Sequence, residues 1–191
     1  MEHFWVNNMK HPIEQLSRRE KALWLGSLLI VLISNLLTES FDLLTLIAAL
    51  VGVTSLIFAA KGNVWAQILM ILFSILYGII SYRFRYWGEM ITYLGMTMPM
   101  AIWSTYTWLK NPSKENGNEV EIQALSRGHA VALTVATIAV TAVFYGILRA
   151  LDTPNIIFST ISVVTSFLAA ALTMLRSSYY AVGYAANDVV L

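Results

Sequence analysis

The sequence has no cysteine, few charges and no histidine cluster, and each shortage removes a class of chemistry. Without a thiol there is no disulfide framework, no thiolate nucleophile and no cysteine-based zinc site. The 3 histidines, His3, His11 and His129, are scattered through terminal or interfacial stretches and form no metal-binding H-E-x-x-H pattern. There is no G-x-S-x-G elbow and no glycine-rich loop placed after a strand, so nothing points to an enzyme, a cofactor or a bound metal. Charged residues make up only 12% of the 191, about half the share of a soluble domain. The 12 Lys and Arg stand against 11 Asp and Glu, a net charge of +1 with no basic stripe, which argues against a nucleic-acid partner. What is present in quantity is apolar: 58% hydrophobic residues and a mean hydropathy of +0.66. Such a chain is not disordered. It buries its surface in a lipid bilayer.

A bilayer core of about 30 Å takes roughly 20 apolar residues per helix. Seven runs qualify as spans: Ala22–Leu37, Asp42–Ala60, Val64–Tyr82, Met90–Leu109, Ala130–Leu148, Asn155–Leu175, and one from Ser178 still running at Leu191. Residues 1–20 read as an amphipathic helix at the interface, too polar for a cleaved signal peptide. The polar stretch at 110–128 reads as the one water-exposed linker. With these spans, nine cations (Lys10, Arg18, Arg19, Lys21, Lys61, Lys110, Lys114, Arg127, Arg176) share one side, against three (Arg83, Arg85, Arg149) on the other. That asymmetry places the N-terminus in the cytoplasm. The tripeptide Val-Thr-Ser occurs mid-span at Val53–Ser55 and again at Val164–Ser166, each copy followed by small and apolar residues. A direct repeat across an intervening helix is a known transporter plan.

The polar pair Asn187-Asp188 lies near the middle of the seventh span. Polar groups at that depth are costly and mark a cavity or a partner; alternatively, Asp188 bonds a neighbouring Ser or Thr, or lies near a helix end. Tyr180 and Tyr184 stand seven and three residues before Asn187 on the same helical face, so the three make an aromatic-plus-amide surface for a flat polar ligand. The competing reading for Tyr179 and Tyr180 is an interfacial tyrosine belt. Trp87 and Trp108, at the ends of the fourth span, read as interface anchors; Trp103 lies a turn deeper and faces the ligand. Pro99 kinks the fourth span, either for packing or to free a carbonyl near a site. Glu89 reads as a headgroup-zone charge, and Arg83 and Arg85 as snorkelling cations.

The run AKGN (Ala60–Asn63), Tyr77-Gly78, Ser81-Tyr82, Tyr86–Glu89, Pro99-Met100 and Trp108–Lys110, followed by Leu175–Asp188, resembles the PnuC family of bacterial nicotinamide riboside (nicotinamide mononucleotide) transporters. The resemblance covers residues 42–191. It implies an all-α integral membrane bundle with a SWEET-like fold, in which parallel three-helix repeats are joined by a linker helix. The units would be an extra first span at 21–37, a first three-helix unit at 42–109, a cytoplasmic loop at 110–128, a linker helix at 129–150 and an incomplete second unit at 154–191. The function implied is facilitated uptake of nicotinamide riboside through the bacterial inner membrane, with the substrate trapped by intracellular phosphorylation and no cofactor or coupling ion. The expected site is Asn187, Asp188, Tyr180, Tyr184 and Trp103. Expected partners are the flat vitamin precursor and the lipid bilayer, with a homo-oligomer left open. Two departures bear on the substrate. The family's W-x-x-W-x-x-x-N on the penultimate helix is here Tyr180, Gly183 and Asn187, and an amide two residues after the proline is Ala101. A thiamine-like permease, or a non-transporting membrane scaffold, is the alternative. The 15 residues from Ser177 to Leu191 extend about 22 Å, so the chain is expected to be a truncated product or a fragment that does not transport by itself.

Overall fold

The computed structural model describes residues 12–38, 41–113, 119–153 and 155–190, which form seven helices and no strands. They are α1 (Arg18–Leu36), α2 (Leu43–Ala60), α3 (Trp65–Arg83), α4, α5 (Arg127–Ala150), α6 (Ile156–Met174) and α7 (Tyr180–Val190). α4 runs through residues 87–110 in three sections: α-helical Trp87–Ile91, π-helical Thr92–Thr97 and α-helical Met98–Lys110. Every apolar run of the sequence is thus helical. Four helices (α2, α3, α5 and α6) are by themselves long and apolar enough to cross a membrane. α1 has four charged residues in its first turn, α4 is divided, and α7 covers 11 residues.

Helix starts follow from local capping. α1 begins at Arg18 rather than Ala22 because Ser17 and Glu20 form a reciprocal capping box. Of the interfacial helix expected over residues 1–20, the first 11 lie outside the described residues. Residues 12–17 form turns instead, and Leu16 is buried against Phe58, Ala59 and Ala66. Asp42 caps α2 by accepting from the Thr45 backbone N–H and hydroxyl, and the hydroxyl bond holds its carboxyl below the usual carboxylate range.

Helix ends share one device. α2, α3, α5 and α6 each stop on a left-handed residue: Gly62, Arg85, Asp152 and Arg176. Each is closed by the same pair of bonds from the two residues past the cap, as in Gly62 N–H to Ala59 O at 2.9 Å and Asn63 N–H to Phe58 O at 3.0 Å. Only one of the four positions is glycine, so three bear the steric cost of a left-handed L-residue.

α2 packs on α1 and α3, α3 runs beside all three sections of α4, and α6 packs on α5, α7 and α4. The largest apolar cluster joins α4, α5 and α6 through Met96, Phe144, Leu148, Val163 and Phe167. Alternating helix directions gather residues 12–17, the turn 61–64, the segments 111–113 and 119–126 and the turn 175–179 at one end of the bundle. At the other end Arg83 lies 3.6 Å from Asp42.

The loop end is stitched by hydrogen bonds. The extended segment 119–123 donates from Val120 N–H to Gly62 O and from Gln123 N–H to Arg176 O, both at 2.9 Å. The acceptors are the left-handed residues of the α2 and α6 ends, so one segment grips two equivalent turns. Carbonyls at the end of α6 also accept from side chains. Trp108 Nε1 donates to Thr173 O (3.0 Å), and Gln123 Nε2 donates to Leu175 O (2.9 Å). Tyr180 Oη donates to Ala59 O (2.9 Å), tying the second helical hairpin, α6–α7, to the first, α2–α3. Backbone acceptors left bare in a membrane interior are costly; here Tyr180 of α7 donates at the end of α2, and Trp108 of α4 and Gln123 of the loop segment donate at the end of α6.

A candidate ligand cavity between α3, α4 and α6–α7

A cavity of about 820 Å³ lies between α2–α4 on one side and α6–α7 on the other, reaching the end opposite the stitched loop at Arg85, Glu89 and Thr153. That volume is in the range of small-molecule sites.

On the α6–α7 wall the organising group is Asn187. Its Oδ1 lies 2.8 Å from both Thr165 Oγ1 and Ser166 Oγ, which can only be donors to it. Two donors on one oxygen fix which way the amide points. Among the described residues Nδ2 has no hydrogen-bond partner, so the amide offers two N–H groups to whatever occupies the cavity. The second Val-Thr-Ser copy therefore holds the amide in place. The first copy makes packing contacts: Ser55 Oγ donates to Ala66 O on α3 (2.9 Å), and Thr54 accepts from Trp24 Nε1 on α1 (3.2 Å). The two copies are out of step, since Ser55 lies seven residues before left-handed Gly62 and Ser166 ten before left-handed Arg176.

α7 comes this close to α6 because residue 183 is glycine. A Cβ there would lie 3.0 Å from Ala169 Cα. The backbone contact explains why no large ring stands at this position.

On the opposite wall Phe73 and Tyr77, four residues apart on α3, meet Tyr93 from the π section. Ring centroids are 5.5 Å apart for Phe73–Tyr77, 5.7 Å for Phe73–Tyr93 and 4.5 Å for Tyr77–Tyr93. Gly78 lets Leu94 approach α3, since a Cβ at 78 would lie 2.7 Å from the leucine side chain. The π section is common at functional sites, because the wider turn re-aims side chains. Here it places Thr92, Tyr93 and Thr97 on the cavity. Pro99 follows directly and has no N–H to return to the preceding turn.

The residues singled out in the sequence divide accordingly. Asn187, Asp188 and Tyr184 line the cavity. Tyr180 does not; its hydroxyl is engaged by Ala59 O and its ring meets Trp108 edge-on at 6.4 Å. Trp103 does not either, and is 57% exposed. The buried stripe on the last section of α4 is Ala101, Ser104 and Trp108, which puts Trp103 and Tyr106 on the outer face. The same stripe turns Trp108 inward instead of anchoring it at an interface. Trp87, Glu89 and Arg85, assigned in sequence to the interface, line the cavity. Phe73 and Tyr93 do not figure in the sequence reading, and Tyr77 enters it only through the family resemblance, not as a site residue; the aromatic pair spaced i, i+4 on α3 was the available signal.

These features define a multi-pass helical membrane protein with a polar-and-aromatic internal cavity. Residues 42–191 match the family model described as nicotinamide mononucleotide transporter, and the chain belongs to that family. It is similar to the nicotinamide riboside transporter PnuC of Neisseria mucosa, with 26% identity over 133 residues, 68% of this chain and 51% of that protein. The chain thus spans about half the length of this curated relative. The crystal structure of the vitamin B3 transporter PnuC superposes with a TM-score of 0.76 at 22% identity, covering 92% of this chain and 75% of that one. That likeness establishes the shared fold.

Proposed function

We propose that this chain is a facilitative permease for nicotinamide riboside, and that the Asn187 amide, held by Thr165 and Ser166, is its polar reader. Nicotinamide riboside offers a carboxamide oxygen and ribose hydroxyls as acceptors for the two free N–H groups. Family membership supports the transport reading, and the cavity supplies the place. The lining favours the nucleoside over the nucleotide, because Glu89 and Asp188 face the cavity with only Arg85 to offset them, and a phosphate would add like charge. In the cell, cytoplasmic phosphorylation of the arriving nucleoside would keep its gradient directed inward.

The loop end is the cytoplasmic side in this reading. It holds Lys61, Lys110, Arg127, Arg176 and the basic first turn of α1, whereas the other end has Arg83, Arg85 and Arg149. The arrangement of units is SWEET-like: α2–α4 form one, α5 is the linker helix, and α6 and α7 belong to the second. Its support is the pair of left-handed turns, at Gly62 and Arg176, gripped by a single segment.

The deciding experiment is equilibrium binding of labelled nicotinamide riboside to the purified chain in detergent, with unlabelled riboside and thiamine as competitors. Saturable binding displaced by the riboside and not by thiamine is expected. Absence of saturable binding, or displacement by thiamine at equal concentration, overturns the assignment.

A further inference from the structure

The aromatic corner on the α3–α4 wall has a carboxylate at its rim. Glu89 and Tyr93 both line the cavity from α4, and Glu89 lies close to the phenol of Tyr77. The three rings are not a parallel stack. Phe73 and Tyr77 are inclined by 28°, Tyr77 and Tyr93 by 49°, and Phe73 and Tyr93 by 75°. All three rings line the cavity, and rings inclined to one another around a shared space do not all meet it in the same way, so a ligand there meets both ring faces and ring edges. A π-face is the negative part of the ring's quadrupole and attracts a cation, most strongly where water is excluded. A carboxylate beside the corner adds to that attraction. The lining as a whole has the same sign, with Glu89 and Asp188 against Arg85.

We infer that Phe73, Tyr77, Tyr93 and Glu89 form a cation-reading cage, and that this site takes a flat heterocycle with a delocalised positive charge in preference to a neutral ring of the same shape. The inference rests on the riboside reading and deepens it, because the nicotinamide ring of that nucleoside is a pyridinium. The two walls then divide the work. The Asn187 amide reads acceptors common to charged and neutral forms, whereas the corner reads the charge. On the α7 wall Gly183 lies against Ala169 and leaves no volume for a ring at that position, and Tyr184 is the one α7 aromatic among the lining residues, so a corner of several rings is built on the α3–α4 side.

The test compares nicotinamide riboside with its reduced form, 1,4-dihydronicotinamide riboside, which keeps the sugar and carboxamide but has an uncharged ring. Dissociation constants for both probes are measured on the purified chain and on Glu89→Gln, Glu89→Asp and Asn187→Leu. The unaltered chain is expected to prefer the cation at least tenfold. Glu89→Gln should bring the ratio towards one, Glu89→Asp should keep most of it, and Asn187→Leu should weaken both probes alike. A ratio within one variant does not depend on how much of the preparation is folded. Equal affinities in the unaltered chain, or a ratio unmoved by Glu89→Gln, overturn the cage and leave the riboside reading standing. If neither probe binds the unaltered chain, both fall together.

Discussion

At Asn187, one oxygen accepting from two hydroxyls turns a flexible amide into a fixed pair of donors. Replacing it by leucine removes those donors and frees Thr165, whose hydroxyl can still bond the Ser162 carbonyl at 3.0 Å. The helix pair should therefore survive, while the ligand loses a match costing about 1–3 kcal/mol. Calorimetric titration of Asn187→Leu should show riboside binding weakened roughly ten- to hundredfold, with an unchanged unfolding midpoint. A second single-residue effect belongs to Asp152, which ends α5 with φ of 48°. A left-handed L-residue costs about 1–2 kcal/mol, so Asp152→Gly should raise the unfolding temperature in detergent; a lower one would contradict the capping account. Asn187 was legible in the sequence because a polar pair deep in an apolar run is rare. Its two hydroxyl partners were not, since nothing in linear spacing says that residues 165 and 187 meet.

Among the elements, α4 departs furthest from its sequence reading. The run at 90–109 reads as one kinked helix, and Pro99 does mark the irregular part, but six residues are too few to separate a π period from an α period. The wider π turn depends on tertiary packing, with Leu94 against Gly78 and the Thr92 hydroxyl donating to Gly88 O at 2.9 Å. One extra residue in a turn rotates everything downstream by about 100°, so counting an uninterrupted helix across it assigns faces wrongly. Trp103, read as facing the ligand because it lies a turn deeper than Trp108, is on the outer face instead, since depth along a span does not fix which face a residue occupies. The α6–α7 pair gives the element-level prediction. Gly183→Leu puts a branched side chain where a single Cβ already lies 3.0 Å from Ala169 Cα. Overpacking of this kind typically costs about 1–3 kcal/mol, and separating the helices breaks the contacts of Asn187. Both the unfolding temperature and riboside affinity should drop in Gly183→Leu, whereas Gly26→Leu, on a face of α1 with nothing within 4 Å, should change neither.

For the molecule as a whole, the seven apolar runs were readable as helices because a bilayer demands long apolar segments. The stitching of the loop end was not, because it uses backbone carbonyls, and every residue has one. That end is closed by bonds which must break if the cavity is ever to open there. Tyr180→Phe removes the bond to Ala59 O, and Gln123→Ala removes the one to Leu175 O. Each bond is worth about 0.5–1.5 kcal/mol. Ser177 beneath them is fully buried, and since the chain has no native cysteine, Ser177→Cys is a clean probe. Alkylation of that thiol should be slow in the parent and several-fold faster when Tyr180→Phe is added.

The short segment at 119–123 also acts as a ruler. Its grips on Gly62 and Arg176, at Val120 and Gln123, are only three positions apart, about 10 Å of extended chain. That length fixes how far apart the two hairpins stand at this end. Loops usually absorb insertions without consequence. A single glycine added between Glu121 and Ile122 would instead lengthen the gauge by one division, forcing one turn to let go or the whole second hairpin to slide. The same glycine placed after exposed Thr38 would be absorbed. Size-exclusion profiles of the two insertions should differ, monodisperse for the second and broadened for the first.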